Sequence, residues 1–238
     1  MIISILSLFP EVFPPVLHTS IIGRARRRKL VELKYIQIRD FASDKHSTVD
    51  DKPYGGGVGM LMRIDVIAAA IQNVKCQMSR PKADQPLAEK IKEKIVLLDP
   101  AGKRFTQSKA RTYAHLDHLI LICGHYEGID SRVSHFVDES ISIGPYVLTG
   151  GEIPAMIITD AVIRLLPGVL AKEEATQEES FSEGNILEAP QFSRPAEFQG
   201  YRVPDVLLSG NHAEIVKWKK EQARLRTKSN LLYKVFMK

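Results

Sequence analysis

Hydrophobic and polar positions in the first two thirds of the chain follow two periods, the two-residue period of strands and the longer period of helices. Short apolar or alternating runs predict strands over residues 2–8, 31–38, 94–99, 118–123 and 139–143. Longer apolar patterns predict helices over residues 19–30, 64–77, 107–115 and 152–165. Strands that are regularly separated by helices predict an α/β domain with a mostly parallel sheet.

Three irregular segments that contain glycine or proline follow predicted strands, at residues 99–102, 124–128 and 143–151. Ligand crevices in parallel sheets lie beyond the carboxyl ends of the strands. A buried, irregular backbone must also satisfy its own N–H and C=O groups, and a ligand can do this. We therefore expect these loops to form the walls of one small-molecule pocket. None of them has the glycine spacing of a dinucleotide-binding loop or of a P-loop, so the sequence supports neither class.

The segment between residues 40 and 62 is long and lacks periodicity. Loops of this length inside a compact domain are usually functional or disordered. Four glycines at positions 55, 56, 57 and 59 supply flexibility, and they are preceded by charged and aromatic residues, Asp50, Asp51, Lys52 and Tyr54. We predict a functional loop here rather than a plain flexible connection.

The pattern changes after residue 166. An acidic stretch with little apolar periodicity predicts a flexible linker over residues 171–184. Beyond it, several prolines precede a helical pattern that runs from Asn211 to the end. We therefore predict three parts: a domain over residues 1–170 that contains the pocket, the acidic linker, and a small helical C-terminal domain over residues 185–238.

Composition and charge bear on the class of protein and on its binding partner. Hydrophobic residues make up 44% of the 238 and charged residues 26%, which is typical of a globular protein. Basic runs at residues 24–29 and 217–228 contribute to a net charge of +5. Either run alone is typical of a solvated helix face, whereas the two together are equally consistent with a nucleic acid partner.

The two cysteines, Cys76 and Cys123, lie far apart and outside any metal-ligand spacing, which predicts two small core residues in a reducing cytoplasm. The histidines show no ligand spacing either, and we interpret them as structural or surface residues. The apolar start is too short to span a membrane and lacks the features of a secretory leader, so we expect no membrane partner.

Six words of the sequence carry a family resemblance that covers nearly the whole chain. They are SLFPE at residues 7–11, TVDDKPYGGGVGM at 48–60, CGHYEGID at 123–130, SIGPYVLTGGEIPA at 142–155, PGVL at 167–170 and LLSGNHAEI at 207–215. In these six segments of sequence the chain resembles the TrmD family of bacterial tRNA (guanine-N1)-methyltransferases, within the knotted SPOUT class. The resemblance implies a deep trefoil knot in the N-terminal domain, S-adenosylmethionine bound in the knot, and a homodimer with the active site at the subunit interface. It also implies that the C-terminal domain binds tRNA.

The resemblance implies methyl transfer to N1 of the guanine immediately 3′ of the tRNA anticodon (position 37). The implied cofactor-binding residues are Leu98, Asp99, Pro100, Gly124, Tyr126, Glu127, Ile143, Gly144, Pro145, Tyr146, Val147, Leu148, Gly150 and Gly151. The implied substrate-binding residues in the anticodon-loop complex are Asp50, Gly59 and Ser180. Mg²⁺ is also implied, acting through cofactor or RNA without dedicated protein ligands.

Guanine N1 carries a proton at neutral pH, so the reaction needs a general base there and a group that holds the charge developing on O6. The resemblance assigns the second role to Arg164. It places the base at Glu179, where the family has an aspartate, with Glu178 as the adjacent rival. Two alternatives stay open: a homologue that binds RNA without catalysis, which this departure favours, and a knotted enzyme that methylates a ribose 2′-oxygen of another RNA.

Overall fold

A computed structural model describes residues 1–78, 91–171, 176, 179–182 and 184–236. The chain divides into two units, Met1–Ala171 and Lys172–Lys238. The strands are β1 (Ile2–Ser7), β2 (Glu32–Gln37), β3 (Asp50–Asp51), β4 (Leu61–Met62), β5 (Glu93–Arg104), β6 (His118–Cys123), β7 (Glu139–Ser142), β8 (Glu197–Phe198) and β9 (Tyr201–Arg202). The α-helices are α1 (Pro14–Leu17), α2 (Ser20–Arg27), α3 (Ile64–Met78), α4 (Gln107–Ala114), α5 (Glu152–Ile163), α6 (Asp205–Leu208) and α7 (His212–Phe236).

Five strands of the first unit form a parallel sheet in the order β2-β1-β6-β5-β7. The predicted α/β class with a mostly parallel sheet is therefore confirmed. All five carboxyl ends meet at one edge of the sheet, because every neighbouring pair runs in the same direction. The segment between β1 and β2 returns the chain to the opposite edge, where each strand begins.

Strand β5 departs from the prediction, which ended it at residue 99. The strand pairs with β7 through Val96–Leu98 and again through Lys103 and Arg104, and the register shifts between Leu98 and Lys103. Residues 99–102 therefore bulge out of a strand that continues beyond them. Because Ile141 faces both Leu98 and Lys103, the bulge is held directly beside β7.

Both faces of this sheet are covered, so its strands bury side chains on both sides. One face carries Ile3, Ile5 and Leu121 and packs against apolar residues of α2, α4 and α5. The other carries Ile120 and Ile122 and packs against α3. The two-residue alternation of strand side chains divides each strand between the two cores, which explains why the strands are nearly continuous hydrophobic runs.

Polar side chains also take part in the interior of the sheet. At the edge where the strands begin, Ser4 Oγ lies 2.8 Å from His118 Nε2, and His118 Nδ1 lies 3.0 Å from Glu93 Oε2. Burial lowers the pKa of His118 below its usual 6.5, although the neighbouring Glu93 acts in the opposite direction. This arrangement satisfies both nitrogens of a fully buried imidazole, and His118 is structural as predicted.

Another polar side chain of the sheet, Glu139 on β7, is half-buried. It accepts hydrogen bonds from Lys109 Nζ at 2.8 Å and from the Tyr113 hydroxyl at 2.9 Å, and Lys94 Nζ lies 3.3 Å away. Burial alone would raise the pKa of Glu139, but the bonds from these three partners outweigh burial and lower it. The carboxylate thereby joins α4 to the central strands.

The second unit contains α6, α7 and the antiparallel pair β8–β9. Helix α7 follows the predicted helical pattern, and Asn211 Oδ1 accepts a hydrogen bond from the Glu214 amide near its start. The pair β8–β9 is absent from the sequence prediction. Its two-residue turn, Gln199–Gly200, has positive φ at both positions, which is the conformation that joins short antiparallel strands.

Candidate functional site

A cavity of about 420 Å³ lies at the edge of the parallel sheet where β5, β6 and β7 end. Its walls are the bulge of β5, the loop after β6 and the loop between β7 and α5. Its lining residues are Leu97, Leu98, Asp99, Pro100, Ala101, Gly124, His125, Tyr126, Glu127, Gly128, Ile129, Ile141, Ser142, Ile143, Gly144, Tyr146, Val147, Leu148, Thr149, Gly150, Gly151 and Pro154. The structure thus brings the three predicted loops around one space.

The loop before α5 is held tightly against the end of β6. The Gly151 amide donates to the Gly124 carbonyl at 2.8 Å. A Cβ on Gly151 would lie only 2.6 Å from Cys123 Cα and 2.9 Å from the Gly124 nitrogen. Glycine is therefore required at position 151 because two backbone segments approach more closely than a side chain allows.

A carboxylate in the first turn of α5 fixes the same loop to β1. The Ser7 hydroxyl donates to Glu152 Oε1 at 2.7 Å, and the Phe9 amide donates to Ser7 Oγ at 2.9 Å. Ser7 is fully buried. Neither Ser7 nor Glu152 is among the residues predicted from the sequence, although both lie inside the words that carry the resemblance.

The cavity combines an apolar base with polar groups that can bind a ligand. Leu97, Leu98 and Ile141 are buried at its base, while Tyr146 and Val147 expose about half and most of their surface, at 52% and 85%. Among the described residues, His125 Nδ1 is buried without a hydrogen-bond partner. A cavity that is lined by both apolar and polar residues suits a ligand with apolar and polar parts.

The residues assigned to the cofactor by resemblance lie together. Thirteen of the fourteen line the cavity, and the exception, Pro145, is exposed in the loop between β7 and α5. His125, which the sequence analysis treated as structural or surface, also lines it. Its position inside the CGHYEGID word was the available signal. An S-adenosylmethionine molecule fits this lining, since apolar side chains and polar residues such as Asp99 and Glu127 surround one space.

The long loop is tied to the cavity at its base. Strands β3 and β4 pair there, with Asp50 opposite Met62. The Met62 amide donates to the Gly128 carbonyl at 2.9 Å, and the Glu127 amide donates to the Met60 carbonyl at 3.0 Å. The glycine-rich segment between β3 and β4, which we name the lid, is therefore joined at its base to one cavity wall by backbone hydrogen bonds.

Gly59 of the lid lies beside Glu127 of the cavity wall. Its φ is +91°, and a Cβ there would lie 2.9 Å from Glu127 Oε1 and even closer to the Glu127 methylene carbon. Only glycine satisfies both conditions. A predicted substrate residue and a predicted cofactor residue are thus in direct contact.

A salt bridge holds the far end of the same wall. The Arg132 guanidinium donates two hydrogen bonds to the Asp130 carboxylate, at 2.9 and 2.6 Å. These bonds lower the pKa of Asp130 to about 2. The Asp130 carboxylate is therefore a weaker base than an ordinary aspartate.

The two cysteines differ. Cys123 is fully buried, and burial raises the pKa of its thiol well above the usual range, so it is a core residue as predicted. The same prediction is wrong for Cys76, which is exposed on α3. Helix α3 packs against the sheet through one face only, and position 76 lies on the other face.

The predicted catalytic residues lie in different units. Arg164 is the residue immediately after α5 and is half-buried. Glu179 and Ser180 belong to the second unit, where Ser180 Oγ accepts a hydrogen bond from the Glu188 amide at 3.1 Å and the Glu179 carbonyl accepts one from the Ser182 amide. The rival base, Glu178, lies outside the described residues.

In the described part of the chain, no group of three or more His, Cys, Asp or Glu side chains could hold a metal ion. Over the same residues, no helix is both long enough and apolar enough to cross a membrane.

Comparison with known proteins identifies the family. The family model described as tRNA (Guanine-1)-methyltransferase TrmD matches residues 1–234. A Pelotomaculum thermopropionicum protein named tRNA (guanine-N(1)-)-methyltransferase is 50% identical over 226 residues, which cover 94% of this chain and 86% of the relative. Relatives of the same name from Desulforudis audaxviator and Bacillus pumilus are 49% and 46% identical, over 95% and 94% of this chain and 86% and 88% of their own. The chain belongs to the TrmD family of tRNA (guanine-N1)-methyltransferases.

Proposed function

We propose that this protein transfers a methyl group from S-adenosylmethionine to N1 of the guanine immediately 3′ of the tRNA anticodon, at position 37. The observation that carries the proposal is the family match over residues 1–234. It is joined by a cavity at the strand ends, which residues of the CGHYEGID and SIGPYVLTGGEIPA segments line. Relatives that are about half identical over most of their length carry the name of this activity.

The cavity is assigned to the cofactor. When bound, S-adenosylmethionine supplies an electrophilic methyl group on a positively charged sulfur. Ile143, Tyr146 and Leu148 would cover the adenine face, and other backbone groups of the loops after β6 and β7 would bond its polar edges. Asp99 and Glu127, which line the same space, support polar contacts with the cofactor.

The chemistry at guanine needs two protein groups. We assign Glu179 as the base that accepts the N1 proton, which leaves the N1 electron pair free to attack the methyl carbon. We assign Arg164 to the negative charge that builds on guanine O6, where a guanidinium stabilises the transition state more than the ground state. Glutamate retains the carboxylate of the family's aspartate and adds one methylene, so the reach to N1 is the property that changes.

The lid is assigned to recognition of the guanine. Asp50 lies at the base of the lid on β3, and Gly59 contacts Glu127 of the cavity wall. Backbone groups near Gly59 and the Asp50 carboxylate would bond the edges of the target guanine and of the base before it, and Ser180 would complete the site. A base in a loop must be unstacked to enter such a pocket.

We propose a homodimer whose active site lies at the subunit interface, with the cofactor and the base coming from different subunits. Four aliphatic side chains on and beside α1 and α5, which are neighbours, support an interface there: Val12, Val16, Ile153 and Ile157 expose between 38% and 55% of their surface. Solvent-exposed apolar groups of this kind mark interaction sites when they are contiguous.

The family resemblance is also the basis for the proposed domains, knot, metal ion and cellular compartment. Residues 1–170 would form the knotted methyltransferase domain, 171–184 a flexible linker, and 185–238 a domain that binds tRNA. We propose the deep trefoil knot on the family resemblance, and the bulge of β5 and the loops after β6 and β7 that would form it line one cavity. Mg²⁺ would act through the cofactor or the RNA, and the enzyme would work in the cytoplasm.

The test uses S-adenosylmethionine labelled in its methyl group. The protein should label tRNA with guanine at position 37, and it should not label tRNA with adenine there. Digestion of the product to nucleosides should yield 1-methylguanosine. Label in a ribose 2′-O-methyl nucleoside would overturn the proposal, and tRNA binding without transfer would favour the non-catalytic alternative.

Single-turnover kinetics test the assigned residues. Glu179→Gln should slow the chemical step at least a hundredfold, which is the usual scale of general-base catalysis, and leave cofactor binding intact. Arg164→Ala should likewise slow chemistry more than it weakens cofactor binding. A near-normal rate for Glu179→Gln would move the base elsewhere, with Glu178 as the next residue to test.

A further inference from the structure

The first unit carries a concentrated positive surface that the proposed reaction does not use. Residues 20–34 contain six of the chain's 33 Lys and Arg residues and one of its 28 Asp and Glu residues. This segment alone therefore accounts for the net charge of +5, and the rest of the chain is balanced at 27 residues of each sign. We name the five cations of its helix end the basic turn: Arg24, Arg26, Arg27, Arg28 and Lys29.

The basic turn is open to a ligand. Four of its members are exposed and Arg26 is half-buried. One of them, Arg28, donates to the Gly168 carbonyl at 2.6 Å, which fixes the end of α2. Among the described residues, no carboxylate forms an ion pair with any of the five. The single acidic residue of the segment, Glu32, pairs instead with Lys34 at 3.7 Å.

Such a cluster is costly without an anionic partner. Five adjacent cations repel one another, and the partial negative charge at the end of α2 offsets only about half of one charge. Guanidinium groups bind phosphate oxygens in pairs, and four of the five cations are arginines. Phosphodiester backbone is therefore the chemistry that this surface fits.

The location of the basic turn decides which part of an RNA could reach it. The turn precedes β2, at the edge where the parallel strands begin, and Glu32 of β2 pairs with Ile2 of β1. The cavity lies at the opposite edge, beyond the ends of the strands. A six-residue strand spans about 20 Å, so a nucleotide in the cavity cannot touch the basic turn of the same subunit.

We propose that the basic turn binds the phosphate backbone of tRNA outside the anticodon loop, as a second contact distant from the reaction. This inference rests on the proposed function. It assigns to residues 24–29 an affinity role that is independent of the methylated base.

The test is a triple variant, Arg24→Gln, Arg27→Gln and Lys29→Gln, which spares the hydrogen bond of Arg28 and the half-buried Arg26. Binding of a full-length tRNA transcript should weaken about tenfold near 0.15 M salt, and the slope of log affinity against log salt should become shallower by about 2–3. S-Adenosylmethionine affinity should not change, which shows that the unit is folded. A matched control removes three exposed charges elsewhere, Lys92→Gln, Lys103→Gln and Arg104→Gln, and should weaken tRNA binding less than twofold.

An isolated anticodon stem-loop locates the contact. Wild type and the triple variant should bind it equally, whereas they should differ on full-length tRNA. An equal loss on both RNAs, an equal loss in the control variant, or no loss on full-length tRNA would each overturn the inference. Failure of the proposed function has a different signature, since wild type would then yield no 1-methylguanosine from any tRNA.

Discussion

The close approach of two backbone segments at Gly151 leads to a quantitative prediction. Gly151 has φ −81° and ψ −3°, angles that alanine adopts freely, so the effect of Gly151→Ala is steric. The new Cβ would lie 2.6 Å from Cys123 Cα, whereas carbon atoms prefer separations of about 3.5–4.0 Å. The loop must therefore move by about 1 Å, which breaks the 2.8 Å bond from the Gly151 amide to the Gly124 carbonyl.

The expected cost of this movement has two parts. Overpacking costs about 2 kcal/mol and the lost hydrogen bond about 1 kcal/mol, so the free energy of unfolding falls by about 3 kcal/mol. For a unit of this size the change lowers Tm by roughly 6–12 °C. Because the displaced loop is a cavity wall, the affinity for S-adenosylmethionine should fall about tenfold or more, equivalent to about 1.4 kcal/mol.

Thermal unfolding and calorimetric titration with S-adenosylmethionine measure the two effects. Gly124→Ala is the control for stability, because its Cβ would meet Ile129 and Leu98 at ordinary distances of 3.7 and 3.8 Å. Its Tm should stay within about 2 °C of wild type. If Gly151→Ala has the Tm and the cofactor affinity of wild type, the two segments are not packed as described, and the reasoning fails.

Three further predictions concern the lid and the buried polar groups. Burial lowers the pKa of His118 below 6.5, so the unfolded chain takes up a proton that the native state resists. The stability that this residue contributes is therefore present above pH 6.5 and is lost as the pH falls below it. In urea unfolding, the stability difference between wild type and His118→Gln should shrink with falling pH, and a constant difference would contradict this. Gly59→Ala should lower kcat/KM for tRNA at least tenfold (about 1.4 kcal/mol) more than Gly55→Ala does. Both glycines have positive φ, but a Cβ at Gly59 would meet Glu127, whereas nothing lies within 4 Å of a Cβ at Gly55. Equal effects of the two substitutions would mean that backbone strain alone lowers kcat/KM. Glu139→Ala leaves the buried Tyr113 hydroxyl without its acceptor and should reduce the free energy of unfolding by about 3 kcal/mol. Glu139→Gln retains an acceptor and should reduce the free energy of unfolding by less. Equal reductions for the two variants in urea unfolding would exclude the hydrogen bond as the cause.

The loops illustrate how far local sequence reaches. Glycine and proline after apolar runs locate the three cavity walls, because these residues end strands and the carboxyl ends of parallel strands share an edge. The bulge at residues 99–102 was expected as a loop after a finished strand. It lies instead within β5, since pairing with β7 resumes at Lys103, and the register of a distant strand leaves no mark on local composition.

The same limit applies to side-chain partners. The pairs Ser7–Glu152 and Ser4–His118 are separated by more than a hundred positions, 145 and 114, and neither member shows a spacing that would reveal the other. His125 resembles any histidine beside a glycine until its buried nitrogen is placed in the cavity wall. The contact of Gly59 with Glu127 likewise required the pairing of the lid base with the loop after β6.

The sequence by itself determined the α/β class, the bounds of most helices and strands to within a few residues, and the position of the three loops. It also determined the family. These features can be read from the sequence because hydrophobic periodicity and long matching segments are local properties. The tertiary structure decided which of these loops touch, which glycines are needed for close approach, and that the cations of residues 24–29 lie at the edge of the sheet opposite the cavity. Those features depend on contacts between segments far apart in the chain, and such contacts arise only when the strands are assembled in one order.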